Sequence, residues 1–437
     1  MAEMEDDLAD AMPRRGPEDD EDSERDEDER DWVVWDEEEE EEVVVVVDTD
    51  MHLSKVDTPP ERSGHIAVVD GNFMFVWGGY KNAEAMGLFE LYLPRSEMWI
   101  YNMETERWKM QLTEGELPAS MSGSCGVCVD GVLYLFGGHH TNGNTNLVYR
   151  LPLRCPVLRW EKMTNLKGLA PTCKDKLGCW VYKNSLVFFG GYGYFSQEGH
   201  RGTFEFDETS IIMVSSRGWN NHVHVLDLET LSWSQPVTKG NSPSPRAAHA
   251  CAAVGNRGYV FGGRYMHPRH NFHLFLLLTV LCANTSILRS VPQNGPVGRS
   301  WHSFTPVSSD HIFLFGGFTT YRQTLSDAWL YSISKNEWKS FKHNHTESPR
   351  LWHTTCYGPE GEVFVFGGCA NNLLSRERAA HSSELLVFNV QPKSLARLCM
   401  EAAVQHRDRL ETIWDYLPKH LLHNLKQRMS SNNTMGS

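Results

Sequence analysis

The sequence lacks the features that direct a chain into a membrane or through the secretory pathway. Its longest apolar run, residues 272–283, is too short to cross a bilayer. The acidic beginning of the chain has neither the basic region nor the apolar region of a signal peptide. The ten cysteines do not follow the spacing of a disulfide framework, which indicates reduced thiols. We therefore expect a protein of the nucleus and cytoplasm that has no membrane partner.

Motifs for catalysis and for binding metals or cofactors are also missing. The sequence contains no nucleophile elbow, P-loop or HExxH motif. Cys125 and Cys128 have the spacing of a CxxC motif, but residues three apart on a strand point to opposite faces of the sheet. We expect no cofactor, no metal and no enzyme activity, and we expect no nucleic-acid partner.

Acidic residues are concentrated in one part of the chain. Residues 1–42 hold 23 Asp and Glu and 4 Lys and Arg, a net charge of −19, whereas the whole chain carries −15. Like charges at this density repel each other, and the segment has too little apolar surface to offset the entropy lost on ordering. We predict an acidic disordered tail over 1–42, with binding of a basic partner as an alternative role.

One pattern recurs along the rest of the chain. Six apolar, β-rich runs end in a glycine pair, at intervals of 51 to 72 residues. The pairs are Gly78-Gly79, Gly137-Gly138, Gly190-Gly191, Gly262-Gly263, Gly316-Gly317 and Gly367-Gly368. An Arg-x-x-His motif precedes four of the pairs: Arg62/His65, Arg246/His249, Arg299/His302 and Arg350/His353. A tryptophan follows four of the pairs after a further strand and turn: Trp108, Trp160, Trp233 and Trp338.

This repeat predicts an all-β fold, a β-propeller of six four-stranded blades over 43–393. Glycine pairs end a strand where the backbone needs a positive φ or where a neighbouring chain comes too close for a Cβ atom. The tryptophan supplies a large apolar face that packs one blade onto the next. A single blade cannot bury both of its faces, so six blades close into a ring. The last unit has no tryptophan, and residues 42–50 are the candidate for its fourth strand.

Residues 270–290 depart from the repeat, because they have no tryptophan and no clear turn between strands. Aliphatic side chains stand at nearly every position, which would expose apolar surface on an outer strand. A divergent pair of strands is one interpretation. The interpretation that we favour is an isoform or mistranslated segment that replaces the usual outer strands.

A different periodicity begins at Ser394. Apolar residues recur at steps of three and four, which predicts an amphipathic helix with Ser394 as its N-cap. A second helix follows Pro418, with Leu421, Leu422 and Leu425 on one face. We predict a short α-helical segment over 394–428. By periodicity alone, these helices would pack against the side of the propeller.

Two resemblances give the helical segment a function. Leu395, Cys399 and Ala403 follow the spacing of the BC box, the helix by which substrate receptors bind elongin C. The downstream spacing resembles a cullin-2 box, formed by Leu417, Pro418, Leu421 and Leu425. These resemblances imply elongin B, elongin C, cullin-2 and its RING subunit as partners.

The repeats resemble the kelch family, and residues 60–437 resemble its members that act as substrate receptors of elongin–cullin-2 ubiquitin ligases. The segments RSGHIAVVDG, KDKLGCWVYKN, SPRAAHACAAVGNRG and FGGCANNLL carry this resemblance. In those receptors a central pocket binds proteins that end in Gly-Gly, which are then ubiquitinated and degraded by the proteasome. The resemblance implies that Arg264, Arg269 and Ser300 hold the terminal carboxylate. It implies that Lys176 contacts the peptide backbone, beside an aromatic wall of Tyr80, Tyr192, Trp219, Trp301 and Trp352.

The last residues of the chain resemble the ligand implied for the pocket. We predict a flexible tail over 429–437, which ends in Gly436-Ser437. A tethered tail can reach an effective concentration near millimolar, so it would occupy its own pocket or that of a second copy. Self-association through the tail is one expectation, and an inert terminus is the other.

Three functions remain open from the sequence. The leading one is the substrate-recognition subunit of a cullin-2 RING ubiquitin ligase. The alternative is a kelch protein-interaction scaffold outside any ligase, in which the helices only brace the propeller. A copper enzyme of the galactose-oxidase type would need Tyr and His ligands that converge on the axis, and the sequence shows no such set.

Overall fold

The computed structural model describes residues 58–83, 90–208, 216–267, 270–274, 277–282, 285–290, 294–375 and 377–432. The predicted tail over 1–42, the strand proposed at 42–50 and the last five residues lie outside this range. Arg269 lies outside it as well.

Six antiparallel sheets form the blades, and the predicted all-β propeller is confirmed. Five blades have four main strands, and the sixth has three within the described part of the chain. From the first blade to the sixth, the strands are Ile66–Asp70, Phe73–Trp77, Glu97–Asn102 and Arg107–Leu112; Cys125–Val129, Val132–Phe136, Val148–Pro152 and Arg159–Lys162; Gly178–Tyr182, Ser185–Phe189, Val223–Asp227 and Ser232–Ser234; Ala250–Val254, Arg257–Phe261, Leu277–Cys282 and Thr285–Ser290; Ser303–Pro306, His311–Phe318, Thr324–Ser332 and Glu337–Phe341; and Thr354–Tyr357, Glu362–Phe366 and Leu385–Asn389.

The blades close into a ring through their first strands. Each first strand contacts the first strands of the two neighbouring blades, and that of the sixth blade contacts that of the first. Two short strands, Glu114–Gly115 and Lys239–Gly240, run parallel to the outer strand of the following blade. The ring therefore has a central axis lined by the beginnings of six blades.

Shorter strands stand at one end of the axis in four blades, and all but Lys174–Asp175 follow the glycine pair of their blade. They are Tyr80–Asn82 with Glu90–Tyr92, His139–His140 with Gly143–Asn144, Lys174–Asp175 with Tyr192–Tyr194, Phe204–Phe206 and Arg217–Asn220, and Arg264–His267 with His270–Leu274. These additions carry the side chains of the candidate site.

The repeated tryptophans pack one blade onto another, as predicted. Each lies on the outermost strand of its blade and contacts an aromatic ring of the preceding blade. The ring centroids are 5.0 to 5.7 Å apart in the pairs Trp108–Phe366, Trp160–Trp77, Trp233–Phe136 and Trp338–Phe261.

The Arg-x-x-His motifs also join neighbouring blades. The guanidinium of Arg299 donates a 2.9 Å hydrogen bond to the carbonyl of Gly316 in its own blade. The carbonyl of Arg299 accepts a 2.9 Å bond from the amide of Gly263 in the preceding blade. Equivalent pairs of bonds occur at Arg62 and Arg246. These arginines are buried structural groups, which agrees with their recurrence in the sequence.

The segment 270–290 forms strands, as the divergent-pair interpretation requires. Its last two strands take the third and fourth positions of the fourth blade, where Leu277–Cys282 pairs with Arg257–Phe261 and then with Thr285–Ser290. The origin of the segment, as a divergent pair of strands or as a replacement of the usual outer strands, stays a prediction. Aliphatic and β-branched residues have high strand propensity, so the backbone forms a hairpin without the usual tryptophan.

The C-terminal segment is helical but more broken than predicted. Ser394 caps the helix Leu395–Gln405, because its hydroxyl accepts the amide of Arg397 at 3.2 Å. The short helix Arg407–Leu410 and the 3-10 helix Glu411–Tyr416 follow. The last helix, Lys419–Asn432, continues past the predicted end at 428, since no glycine or proline interrupts it. None of the helices in the described residues has the length and hydrophobicity that a membrane crossing requires.

Candidate functional site

A ring of backbone hydrogen bonds surrounds the propeller axis at the start of the blades. Each blade contributes one residue whose amide donates to the carbonyl of its counterpart in the preceding blade, at 2.8 to 3.0 Å. In chain order the six residues are Gly64, Gly123, Lys176, Ala248, Trp301 and Trp352. All six have left-handed φ angles, between 53° and 69°. For the four residues other than glycine this conformation costs about 1 kcal/mol each, and the ring holds it in place.

The two glycines of the ring give space to larger neighbours. A Cβ atom at Gly64 would lie 3.1 Å from the indole of Trp352, and one at Gly123 would lie 3.1 Å from the side chain of Asp175. Bulky side chains therefore enter the axis from the third, fifth and sixth blades. The first and second blades leave room for them.

Aromatic side chains line one end of the axis. The ring centroids of Trp352 and Trp301 are 5.7 Å apart, and those of Trp352 and Tyr80 are 5.6 Å apart. Across the axis, Tyr192 packs edge-on against Trp219 at 5.2 Å. The structure therefore places the five residues predicted for the aromatic wall in two groups, one of three rings and one of two.

Lys176 lies between the two groups of aromatic rings. Its Nζ atom stands 5.3 Å from the ring centroid of Trp352 and 5.9 Å from that of Tyr192. It also forms an ion pair with the adjacent Asp175, whose side chain is 1% exposed. The ammonium is thus positioned at the axis, where it can donate hydrogen bonds to a ligand.

Arg264 and Ser300 are neighbours of Trp301. The guanidinium carbon of Arg264 lies 5.3 Å from the centroid of the Trp301 ring. Burial lowers the pKa of Arg264 below its ordinary value, and the charge of Asp207 partly offsets this effect. Ser300 is completely buried, and its hydroxyl has no hydrogen-bond partner within the part of the chain that the structure describes. The two residues therefore combine a positive charge with a buried hydroxyl beside an aromatic face.

A cavity of about 250 Å³ opens at this end of the axis. Of the predicted site residues, Tyr80, Lys176, Tyr192, Trp301 and Trp352 line it. Arg264 packs on Trp301, and Trp219 packs on Tyr192.

Other lining residues were not predicted from the sequence. Arg217 and Asp175 line the cavity, and so do Tyr92 and His139, which share a 2.7 Å hydrogen bond. Asp175 precedes the ring residue of the third blade, just as Ser300 precedes that of the fifth blade. An alignment of the first residues of the six blades would therefore have identified it. No local motif marks Arg217, because it comes from an extra strand in the third blade.

The first C-terminal helix presents its apolar face outward. Leu395 is 77% exposed and Leu398 is 49% exposed, and Cys399 is exposed beside them, whereas the buried residue of this helix is Arg397. Arg397 forms ion pairs with Glu106 and Glu401 and donates a 3.4 Å hydrogen bond to the carbonyl of Met103. The helix is therefore attached to the propeller by polar groups and leaves an apolar surface uncovered.

The residues predicted as a cullin box differ in exposure. Pro418 is exposed, and Leu417 and Leu421 are half-buried. Leu425 is 1% exposed and forms part of the buried interior, so it is not accessible to a partner in this arrangement. Of the four residues predicted to bind a cullin, Leu417, Pro418 and Leu421 are therefore the accessible ones.

The described residues contain no group of three or more His, Cys, Asp or Glu arranged to hold a metal ion. The cavity instead offers cations, hydroxyls and aromatic rings. This combination suits a small anionic group attached to a flat or extended chain, such as the end of a peptide.

The fold is that of a kelch-repeat β-propeller, and it has a cavity on its axis. The family model for the KLHDC2/KLHL20/DRC7 Kelch-repeats domain matches residues 89–285 and 248–413, and the chain belongs to the kelch-repeat family. It is 63% identical to Kelch domain-containing protein 2 of Homo sapiens over 382 residues, which cover 87% of this chain and 93% of that protein. Kelch domain-containing protein 1 of Mus musculus is 45% identical over 85% of this chain and 90% of its own length.

Proposed function

We propose that this protein is the substrate-recognition subunit of a cullin-2 RING ubiquitin ligase and binds proteins that end in Gly-Gly in its axial cavity. Its role is to present those proteins for ubiquitination and degradation, and it carries out no catalysis itself. Elongin B, elongin C, cullin-2 and the RING subunit are the proposed partners, in the nucleus and cytoplasm.

The observation that carries this proposal is the arrangement of Arg264 and Ser300 around Trp301. A carboxylate has about four lone-pair sites, and a guanidinium together with a hydroxyl can occupy several of them through charge-assisted hydrogen bonds. The buried hydroxyl of Ser300 lacks a partner among the described residues, and a ligand oxygen would supply one. Arg269 is the proposed third contact.

The aromatic wall accounts for the preference for glycine. Trp301 and Trp352 lie close together at the ring of backbone hydrogen bonds. A side chain on either of the last two residues would meet these rings, whereas glycine would not. Selection by steric exclusion is an established source of specificity.

The uncovered helix supports the ligase assignment. Leu395 and Leu398 expose apolar surface, whereas the charged Arg397 of the same helix is buried. Apolar surface exposed in this way is unfavourable for a protein without a partner, and it is explained if a partner with an apolar groove covers it. Leu395, Cys399 and Ala403 are the proposed elongin contacts, and Leu417, Pro418 and Leu421 are the proposed cullin contacts.

Binding of a labelled peptide ending in Gly-Gly tests the proposal. Arg264→Ala should weaken binding by about 2–5 kcal/mol, because the carboxylate is left buried without its partner. Ser300→Ala should have a smaller effect, on the order of 1 kcal/mol. Arg201→Ala is a control, since Arg201 is exposed and bonds to Gln235 at the edge of the third blade. If Arg264→Ala and the control bind alike, the assignment of the carboxylate site is wrong.

A further inference from the structure

The C-terminal helices attach to the end of the propeller that lies opposite the cavity. The cavity stands where the first strands of the blades begin, and in the first blade the strands Ile66–Asp70 and Glu97–Asn102 both run away from it. The turn at 103–106 follows the second of these strands, so it stands at the far end of the axis. Both long C-terminal helices donate hydrogen bonds to this turn.

Glu106 is the residue of this turn that joins the two helices. Its Oε1 atom accepts a hydrogen bond from Arg397 in the helix Leu395–Gln405. The same atom accepts a 3.3 Å bond from Nη1 of Arg428 in the helix Lys419–Asn432. Both arginines are buried, so their bonds to the carboxylate are partly shielded from water. One side chain of the propeller therefore holds two helices at once.

Further carboxylates compensate the buried arginines. Arg397 pairs with Glu401 of its own helix at 3.0 Å, and it lies 3.7 Å from Glu362 of the sixth blade. Lys393 donates to both carboxylate oxygens of Glu401, at 2.6 and 2.9 Å. Burial raises the pKa of Glu362, while the charges of Arg397 and Lys393 act in the opposite direction. Because the charges are paired in this way, removal of one carboxylate leaves a buried guanidinium with fewer partners.

Apolar packing between the helices and the propeller is incomplete. Trp414 and Leu425 are buried, but a cavity of about 170 Å³ remains beneath the helices. Met103 of the turn lines this cavity from the propeller, and Met400 and Leu421 line it from the helices. The polar bonds at the turn therefore contribute to holding the helices in one place, in addition to neutralising charge.

We propose that Glu106 is a positioning residue, which fixes the C-terminal helices on the propeller and so sets where a partner bound to them stands relative to the cavity. This inference rests on the proposed function and deepens it, because that partner is the elongin and cullin assembly. Glu106 lies at the opposite end of the axis from the cavity, and Leu395 is exposed on the other side of its helix. Loss of position should slow ubiquitin transfer, which requires a substrate lysine to be held close to the ubiquitin donor, without weakening either binding step.

Amide hydrogen exchange of the full chain tests the attachment itself. Glu106→Gln removes the charge and keeps the size of the side chain. It should make exchange in residues 395–405 and 419–432 about tenfold faster. The matched control is Glu114→Gln, because the Glu114 side chain is 51% exposed, against 48% for Glu106, and pairs with Arg159 of the second blade. The control should leave exchange in both helices unchanged.

A second substitution assigns the effect to the bond with the last helix. Arg428→Gln should also make exchange in the two helices faster. The variant that combines Glu106→Gln with Arg428→Gln should show less than the product of the two single effects, because both changes remove the same bond. Independent, fully multiplied effects would show that the two residues do not act together.

Reconstituted ubiquitination gives the functional readout. The full chain is combined with elongins B and C, cullin-2, its RING subunit and a substrate that ends in Gly-Gly and carries a single lysine. Glu106→Gln should slow ubiquitin transfer about fivefold. Its affinity for a Gly-Gly peptide and its recovery of elongins should stay at the level of Glu114→Gln. A general loss of structure would instead lower all three quantities together.

Three results would overturn the inference in distinguishable ways. If Glu106→Gln transfers ubiquitin as fast as the control, Glu106 has no positioning role, while the proposed function stands. If it weakens peptide binding and elongin recovery as much as it slows transfer, Glu106 supports the fold as a whole. If the unaltered protein neither recovers elongins nor supports transfer, the proposed function fails and this inference fails with it.

Discussion

The amide of Gly64 donates a 3.0 Å hydrogen bond to the carbonyl of Trp352, and this bond joins the first blade to the last. It completes the ring of backbone hydrogen bonds around the axis. It also places the indole of Trp352 over Gly64, which has no side chain. The same bond therefore contributes to closure of the propeller and to the shape of the cavity.

Gly64→Ala should separate these two roles. The new Cβ atom would lie 3.1 Å from the Trp352 indole, so the indole must move and the cavity must change shape. We expect peptide binding to weaken about tenfold, equivalent to about 1.4 kcal/mol. The control is Gly255→Ala, where φ is also positive but no atom lies within 4 Å of the added Cβ. Both variants should lose about 1 kcal/mol of unfolding free energy from the backbone conformation. Equal peptide affinities for the two variants would show that Gly64 does not shape the cavity.

Leu395→Asp should abolish copurification of elongins B and C. A carboxylate cannot enter an apolar groove without a cost of several kcal/mol. Because Leu395 is 77% exposed, the substitution should leave the free energy of unfolding nearly unchanged. Leu112→Asp is the matched control, since Leu112 is 64% exposed on the outer strand of the first blade. Recovery of elongins with Leu395→Asp at the level of the control would favour the scaffold function over the ligase function.

The stability of the propeller should fall in mild acid because of its buried histidines. Burial, with the charge of a neighbouring arginine, lowers the pKa of His249 to about 3 and that of His353 to about 3. In the unfolded chain these groups have a pKa of about 6.5, so the unfolded state takes up protons first as the pH falls. Each histidine therefore lowers the unfolding free energy between about pH 6.5 and pH 3, by about 1.4 kcal/mol at pH 5.5.

Urea unfolding at pH 7.5 and pH 5.5 measures this effect. His249→Gln should lower stability at both pH values and reduce the difference between them by about 1.4 kcal/mol. An unchanged difference would mean that His249 is not neutral and buried in the folded chain.

Competition by the chain's own end, Gly436-Ser437, with peptide ligands separates the two expectations for the tail. We compare the native chain, a deletion of Gly436-Ser437 and a chain extended by several lysines, using peptide affinity and particle mass. If the tail occupies a pocket, removing or blocking it should tighten peptide binding, and it should reduce particle mass where the tail enters a second copy. Equal affinity and equal mass for all three chains would indicate an inert terminus.

The fold could be predicted from the sequence because its signals are periodic. Six glycine pairs specify strand ends, and the tryptophans that follow four of them specify blade contacts, as in the packing of Trp338 on Phe261. The hairpin at 277–290 was predicted as one of two interpretations only, because the segment has strand propensity but neither the tryptophan nor the turn signals of the repeat. Propensity outweighed the absence of the repeat pattern there.

The site was predictable to the extent that its residues lie in repeated motifs. Ser300 and Trp301 follow a buried arginine at the start of a blade, and Arg264 follows a glycine pair. Arg217 lies in no repeated motif. It lines the same cavity as Lys176 because its strand pairs with the strand of Tyr194, which is distant in sequence. The burial of Leu425 could not be predicted from the sequence either. Periodicity shows that a helix has an apolar face, but it does not show what covers that face.

The central claim is recognition of a terminal carboxylate, and the most direct test compares two forms of one peptide by isothermal titration calorimetry. The peptide ends in Gly-Gly and carries either a free carboxylate or a terminal amide. Loss of the charge removes the partner of Arg264, so the acid should bind more tightly by about 2–5 kcal/mol. Equal affinity for the acid and the amide would contradict the account.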